Sequence, residues 1–222
     1  MSLELVTLNT ADGIELDGAW YPAPGTIPSH AARVLVVHGL TWNFYRGPSR
    51  WLPPLLAAAG HPCLALNMRD HDLNEVKDFD LSHNDLAAGI AFLESRGRGE
   101  VVLLGHGYAC NKLVCYPALS GDHRPCRRVL TTLGAIKAYK PEIWAKVLAA
   151  AAEIRGATLV VQGAVDPLIE GRNRADELVR AARGSRLETV LLEGGDHYFN
   201  GRHDALAGCV LDWLGRTERG TE

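Results

Sequence analysis

The chain has 222 residues, of which 47% are hydrophobic, and its formal net charge at pH 7 is −3. This length fits one large α/β domain or two small ones, and the apolar fraction is sufficient for a full hydrophobic core. A slightly acidic chain without a long basic run gives no reason to expect nucleic acid or an anionic membrane as a partner.

Runs of apolar residues predict eight strands and six helices along the chain. The strands are predicted over residues 3–8, 14–21, 33–37, 61–67, 101–104, 128–133, 158–162 and 187–192. The helices are predicted over residues 49–59, 81–95, 111–116, 141–152, 172–182 and 205–214. Since strands and helices alternate through most of the chain, we predict a doubly wound, mostly parallel eight-stranded sheet with helices on both faces.

Two of the predicted helices carry specific signals at their starts. Pro53 and Pro54 would have to lie near the beginning of the helix at 49–59, so we expect its first turn later than Ser49. In the helix at 81–95, Ser82 is a candidate N-cap and Asp85 follows three residues later, close to a capping box. The sequence contains no internal repeat or break in composition, so we predict a single domain over residues 1–222.

Cysteine usage and the N-terminus together suggest a cytoplasmic protein. The chain has five cysteines, an odd number, and they are widely spaced and mostly inside apolar runs, as expected for buried free thiols in a reducing compartment. The N-terminal residues lack the pattern of a secretory signal, and no apolar run reaches the length of a membrane span. We therefore expect no membrane partner.

The segment Val101-Val102-Leu103-Leu104-Gly105-His106-Gly107-Tyr108-Ala109-Cys110 combines a strand, a sharp turn and the start of a helix. This arrangement resembles the Gly-x-Ser-x-Gly turn of the α/β-hydrolase family, whose central serine attacks the substrate. Here Gly107 stands at the central position, so no acyl-enzyme can form there. Glycine adopts the positive φ that such a turn needs at little cost, so the turn can persist without the hydroxyl.

Three further segments resemble the family's functional loops, in the family's order. His38-Gly39-Leu40-Thr41 resembles the loop that supplies an oxyanion-hole amide, which implies Leu40 as one N–H donor and Tyr108 as the other. Gly163-Ala164-Val165-Asp166 resembles the loop of the triad acid, and Glu193-Gly194-Gly195-Asp196-His197 that of the triad histidine. All follow predicted strands, at the sheet edge where ligands bind. The resemblance implies the α/β-hydrolase fold. Only 24 residues, with one predicted helix, separate Leu133 from Thr158, so we expect no large lid domain.

Other residues near these loops permit more than one interpretation. Cys110 is either a core thiol or a relocated nucleophile, and Asp70-His71-Asp72 is either a loop-stabilising group or a metal site; we favour the first reading in each case. We expect His38 and His106 to make structural hydrogen bonds. Three aromatic residues are candidates for substrate contact, with packing as the equal alternative: Trp42, Tyr139 and Trp144.

These observations predict an atypical enzyme that acts on a small carbonyl substrate and needs no metal or other cofactor. His197, oriented by Asp166, would act as general base, and the two amides would stabilise an oxyanion during elimination, isomerisation or cyclisation. Two alternatives stay open. The chain is either an inactivated variant of an ordinary serine esterase-type hydrolase or a non-catalytic pseudoenzyme that binds a small molecule or a protein.

Overall fold

A computed structural model describes residues 2–28, 31–73, 78–133, 141–167, 174–183 and 186–218. Its strands are β1 Glu4–Asn9, β2 Glu15–Tyr21, β3 Arg33–Val37, β4 Cys63–Leu66, β5 Val101–His106, β6 Arg128–Thr131, β7 Thr158–Gly163 and β8 Leu187–Leu192. Its helices are α1 Pro48–Ala58, α2 Ser82–Ser95, α3 Ala109–Ser120, α4 Pro141–Ala151, α5 Arg174–Ala181 and α6 His203–Glu218. A short 3₁₀ turn, Phe79–Leu81, precedes α2.

All eight strands form one sheet with the order β1-β2-β4-β3-β5-β6-β7-β8. The first two strands form an antiparallel hairpin, and β2 also pairs antiparallel with β4. The six strands from β3 to β8 all run parallel to one another. The predicted eight-stranded, mostly parallel sheet is therefore confirmed. The parallel strands end at one common edge, so the loops after β3, β5, β7 and β8 meet there.

Helices cover both faces of the sheet because alternate strand residues enter two separate apolar clusters. In β3, Leu35 and Val37 pack into the cluster that also contains residues of α2, α3, α4 and α5. Val34 and Val36 point the other way, into the cluster that contains residues of α1 and α6. This double burial explains the continuous apolar sequence of the central strands.

Several predicted element ends were wrong. Helix α1 begins at Pro48, before Ser49, because proline at the first helical position is already set for the helix; Pro53 and Pro54 therefore lie in its second turn. Strand β6 ends at Thr131, since Thr132 turns with φ 47°. Helix α6 extends past both ends of the predicted 205–214. The first two residues of the predicted helix at 172–182 lie outside the described residues.

The predicted capping box at the start of α2 was also wrong. The residue that precedes the helix is Leu81, and no side chain caps it. The hydroxyl of Ser82 instead donates to the carbonyl of Phe79 at 2.6 Å. The carboxylate of Asp85 accepts from the backbone and the guanidinium of Arg69 at 2.7–2.9 Å. Both side chains fasten the incoming loop to α2.

Within the described ranges, the helices all lack the combination of length and apolar character that a membrane span requires.

Candidate functional site

Gly107 forms the turn between β5 and α3 with φ 57°. Its N–H donates to the carbonyl of Thr131 at 2.9 Å, and its own carbonyl accepts from the N–H of Cys110 at 3.2 Å. A Cβ built on Gly107 would lie 3.6 Å from Nε2 of His197 and 4.0 Å from Cα of Gly39. The turn therefore brings a side-chain-free position next to an imidazole nitrogen.

Asp166 and His197 are joined by a hydrogen bond of 2.8 Å between Oδ2 and Nδ1. The carboxylate is fully buried and the histidine side chain is 13% exposed. Because Nδ1–H donates to Asp166, the lone pair of His197 is on Nε2, the nitrogen that faces Gly107. This is the arrangement that orients a histidine as a general base.

The two loops that carry this pair meet through close backbone contact. A Cβ on Gly163 would collide with the carbonyl oxygens of Gly195 and Asp196, so the loop after β7 can approach the loop after β8 only with glycine there. The N–H of Val165 donates to the carbonyl of Gly195 at 3.0 Å. The carboxylate of Asp196 accepts from the N–H groups of two following residues and so shapes its own loop around His197.

Leu40 and Tyr108 supply backbone amides beside the same turn. Within the described ranges, neither N–H donates to another group. A Cβ on Gly39 would lie 3.3 Å from the carbonyl oxygen of His106, so the loop after β3 packs directly against the turn after β5. Thr41 has φ 62°, a conformation that is strained for a β-branched residue and typical of functional sites.

Aromatic rings border this part of the sheet edge. Trp42 stacks on Tyr198 with ring centroids 4.6 Å apart, and Tyr198 meets His197 edge-on at 4.9 Å. Trp42 and His197 both contact the ring of His106, at centroid distances of 5.8 and 5.1 Å. The Trp42 ring rests on Gly47, where any Cβ would overlap it. Trp42 thus lies beside His106 and Tyr198 at this edge of the sheet, and its role in substrate contact stays a prediction.

Of the other two aromatic candidates, the structure describes only Trp144. Trp144 is 3% exposed within the core, and its indole N–H donates to Glu177 at 2.9 Å. This burial favours packing over substrate contact. Tyr139 lies outside the described residues.

Cys110 is fully buried in the first turn of α3. Its thiol donates to the carbonyl of Gly105 at 3.3 Å, and burial raises its pKa to about 12. A thiol of this kind is protonated at neutral pH and is not a nucleophile. All five cysteines are free, and Cys63 and Cys115 are also buried.

The acidic and histidine side chains of residues 70–72 have separate partners. Asp70 forms an ion pair with Lys112, Nδ1 of His71 contacts the carbonyl of Met68, and Asp72 accepts from Asn43. Within the part of the chain that the structure describes, no group of three or more potential ligands is arranged to hold a metal ion. These contacts favour the loop-stabilising role.

His38 is held in the neutral form by the backbone. Its Nδ1 donates to the carbonyl of Gly39 at 2.8 Å, and its Nε2 accepts from the N–H of Met68 at 3.0 Å. Burial lowers the pKa of His38 from 6.5 to about 4. The predicted structural hydrogen bonds of this residue are therefore present.

The low pKa of His38 makes stability depend on pH. Its folded pKa lies below the unfolded one, so between pH 6.5 and 4 the unfolded chain binds a proton that the folded chain does not, and stability falls as pH falls. From pH 7 to pH 5 we expect His38 to account for a loss of about 2 kcal/mol in the free energy of unfolding. Urea unfolding at both pH values measures this. A His38→Gln variant should lose about 2 kcal/mol less than the wild type over that interval, and equal losses would refute the assignment.

Substitution of Gly107 tests the backbone of the turn. Gly107→Ala should lower the free energy of unfolding by about 1–2 kcal/mol, because φ 57° is unfavourable for an L-residue although the new methyl group has room. Gly208→Ala is the matched control: this glycine lies within α6, with open space at its Cβ position, and alanine there should stabilise by up to about 1 kcal/mol. Urea unfolding shows whether each substitution lowers or raises the free energy of unfolding. Equal effects would contradict the strained turn.

The structure thus brings together most of the predicted site residues: His197, Asp166, Gly107, Leu40, Tyr108 and Trp42. Sequence reasoning missed Tyr198, although it directly follows His197, and it missed the pairing of Lys112 with Asp70. The stacking of Tyr198 on Trp42 and the pairing of Lys112 with Asp70 both join residues distant in sequence, and no motif marks either of them.

No protein-family model and no curated protein matches the chain. Solved structures do match it over nearly the whole length. A dienelactone hydrolase from Anabaena variabilis has a TM-score of 0.77 at 17% sequence identity, covering 97% of this chain and 98% of that one. A serine hydrolase without a lid from Xanthomonas campestris has a TM-score of 0.74 at 16% identity, covering 97% and 95%. An esterase from Pyrococcus furiosus has a TM-score of 0.74 at 17% identity, covering 98% and 93%.

Proposed function

We propose that this chain, which has the α/β-hydrolase fold, is an enzyme that removes a proton from a small carbonyl substrate without an acyl-enzyme intermediate. One observation carries the proposal. The Asp166–His197 pair is intact at 2.8 Å, while the nitrogen that would activate a serine faces a glycine. A general base needs an oriented imidazole, and the bond to Asp166 supports that role for His197 although no nucleophile stands beside it.

Each residue has a defined part in the proposed reaction. Nε2 of His197 takes a proton from the carbon next to the substrate carbonyl, and Asp166 stabilises the imidazolium that results. The electron pair of the broken C–H bond moves onto the carbonyl oxygen as an enolate. The free N–H groups of Leu40 and Tyr108 donate to that oxygen.

The fate of the enolate determines the overall reaction. In an elimination it expels a leaving group from the neighbouring carbon, and the proton passes from His197 to that group. In an isomerisation the proton returns to a different carbon. In a cyclisation the enolate attacks a second electrophilic carbon of the same molecule, and His197 gives its proton to the alkoxide formed at that carbon or to the group that leaves it. In each case His197 ends in its neutral form.

Solvent exchange tests the proposal whichever product the enolate forms. The protein is incubated in D₂O with a panel of small ketones, lactones and esters, and loss of the α-proton signals is followed by ¹H NMR. We expect catalysed exchange with at least one class of compound. Binding without any catalysed exchange or turnover would favour a non-catalytic binding protein.

A second candidate function is an inactivated serine esterase-type hydrolase. It is favoured by the position of the Gly107 Cβ, 3.6 Å from Nε2 of His197, because a serine there would bring its hydroxyl within reach of the imidazole. A Gly107→Ser variant assayed on simple esters distinguishes the two. Strong hydrolysis would favour the inactivated hydrolase, and its absence would favour the proton-abstracting enzyme.

A further inference from the structure

His106 is the last residue of β5, and it is 1% exposed. Its Nδ1 lies 3.1 Å from the hydroxyl oxygens of both Thr131 and Thr132. Each hydroxyl is also placed to donate its hydrogen to a backbone carbonyl, at 3.1 Å for Thr131 and 2.8 Å for Thr132. Since a hydroxyl has one hydrogen, we assign these hydrogens to the carbonyls and both hydroxyl oxygens as acceptors from Nδ1–H. The lone pair of His106 is therefore on Nε2.

Nε2 of His106 is buried and has no hydrogen-bond partner in the described part of the chain. A buried acceptor without a partner costs about 1–3 kcal/mol, so such groups are rare in folded proteins. Burial holds the pKa of His106 well below its usual value, and the nearby His197 lowers it further. Protonation of the ring therefore does not compensate for the missing hydrogen bond at Nε2.

The ring of His106 lies against the loop after β3, among the aromatic rings that border the site. Nδ1 points to the threonines, while Cδ2, the atom bonded to Nε2, lies 3.5 Å from the Cβ position of Gly39. The ring centroid is 5.1 Å from that of His197. Trp42 and Tyr198 border the same ring at 5.8 and 6.2 Å. The two imidazole rings are thus neighbours at the sheet edge that carries Gly107.

We propose that Nε2 of His106 accepts a hydrogen bond from the substrate, which is therefore a carbonyl compound with a hydroxyl or N–H group next to its carbonyl. This inference rests on the proposed function and names the substrate class for the same site. The substrate reaches Nε2 by displacing part of the Trp42–Tyr198 pair, whose members are both partly exposed. A site with a buried acceptor discriminates against an analogue that has no donor, because its own acceptor then stays unpaired.

Hydroxyacetone and methoxyacetone test this inference, because methylation removes the donor and leaves the carbonyl. The first measurement is the ¹⁵N resonance of His106 Nε2 in wild-type protein labelled at histidine. Hydroxyacetone should shift it, and methoxyacetone should not. Wild-type affinity for hydroxyacetone should exceed that for methoxyacetone by about 10-fold or more, the equivalent of one buried hydrogen bond. An unchanged resonance up to the solubility limit of hydroxyacetone would overturn the inference.

Two variants show whether the preference depends on His106. His106→Leu should reduce the affinity for hydroxyacetone to that for methoxyacetone. Thr132→Val is the matched control, since it leaves Thr131 to hold Nδ1–H and should keep the preference. A preference that survives His106→Leu would overturn the inference. The wild-type resonance shift decides the question if His106→Leu does not fold.

These results separate the inference from the proposed function. A hydroxyacetone-specific shift at His106 without catalysed exchange of α-protons would support the binding role and contradict the general-base role of His197. Catalysed exchange together with equal affinity for hydroxyacetone and methoxyacetone would support the general-base role of His197 and contradict the binding role of His106.

Discussion

A His197→Ala variant should lose the catalysed exchange of substrate α-protons by about 10²–10⁴-fold, the usual contribution of a general base. The loss should fall on kcat, because the imidazole acts on the proton in the transition state. The measurement is the exchange rate in D₂O, followed by ¹H NMR, with the compound that the wild type exchanges fastest. An unchanged rate would exclude His197 as the base.

Two further variants separate the base from the fold around it. Asp166→Asn should also lower the rate strongly, because the amide no longer holds Nδ1 as the donor and Nε2 as the free nitrogen. His83→Ala is the control, because this histidine lies on α2 and bonds the carbonyl of Asp80. It should retain the wild-type rate. A similar loss of exchange rate in His83→Ala would show that the assay responds to destabilisation of the fold and not to removal of the base.

A Lys112→Met variant should lower the free energy of unfolding by about 3–5 kcal/mol. The ammonium of Lys112 lies 2.6 Å from the carboxylate of Asp70, and both side chains are only 3% exposed. Burial lowers the pKa of Lys112, and the charge of Asp70 opposes that shift. Removal of the lysine leaves a buried carboxylate without a counter-ion, and this uncompensated charge is the reason for the large loss. Urea unfolding at pH 7 measures it.

The chain contains a matched control for this prediction. Lys146 and Asp80 also pair at 2.6 Å, but their side chains are 51% and 57% exposed. Lys146→Met should therefore cost no more than about 1 kcal/mol, because water already screens that pair. Equal losses in the two variants would contradict the argument from burial. A double variant, Lys112→Met with Asp70→Leu, should recover much of the stability that the single variant loses.

The sheet was predictable because its signal is local and strong. Strands β3 and β8 were predicted with the same bounds that the structure has. A nearly continuous apolar run defines β3, and β8 ends in the apolar residues 190–192 before the polar Glu193. The helix starts were less predictable. Ser82 and Asp85 satisfy the local capping pattern, but Phe79 and Arg69 compete for their side chains, and tertiary contacts of that kind leave no sequence motif.

The order of the strands and the resemblance of their loops to the family were sufficient to predict most of the candidate site. Four loops at one edge of a parallel sheet must approach one another, so Asp166 could be paired with His197 from their positions after β7 and β8. The state of His106 could not be foreseen in the same way. It depends on the direction in which two threonine hydroxyls donate, and that requires coordinates.

A crystal structure with glycolohydroxamate, a mimic of the enediolate of an α-hydroxy carbonyl compound, tests the proposed base most directly. We expect the anionic oxygen of the mimic to accept from the N–H groups of Leu40 and Tyr108. The atom that stands for the reacting carbon should lie against Nε2 of His197, in the space beside Gly107. A mimic bound elsewhere, a vacant space at saturating concentration, or an imidazole distant from both Gly107 and Asp166 would contradict the proposed role of His197.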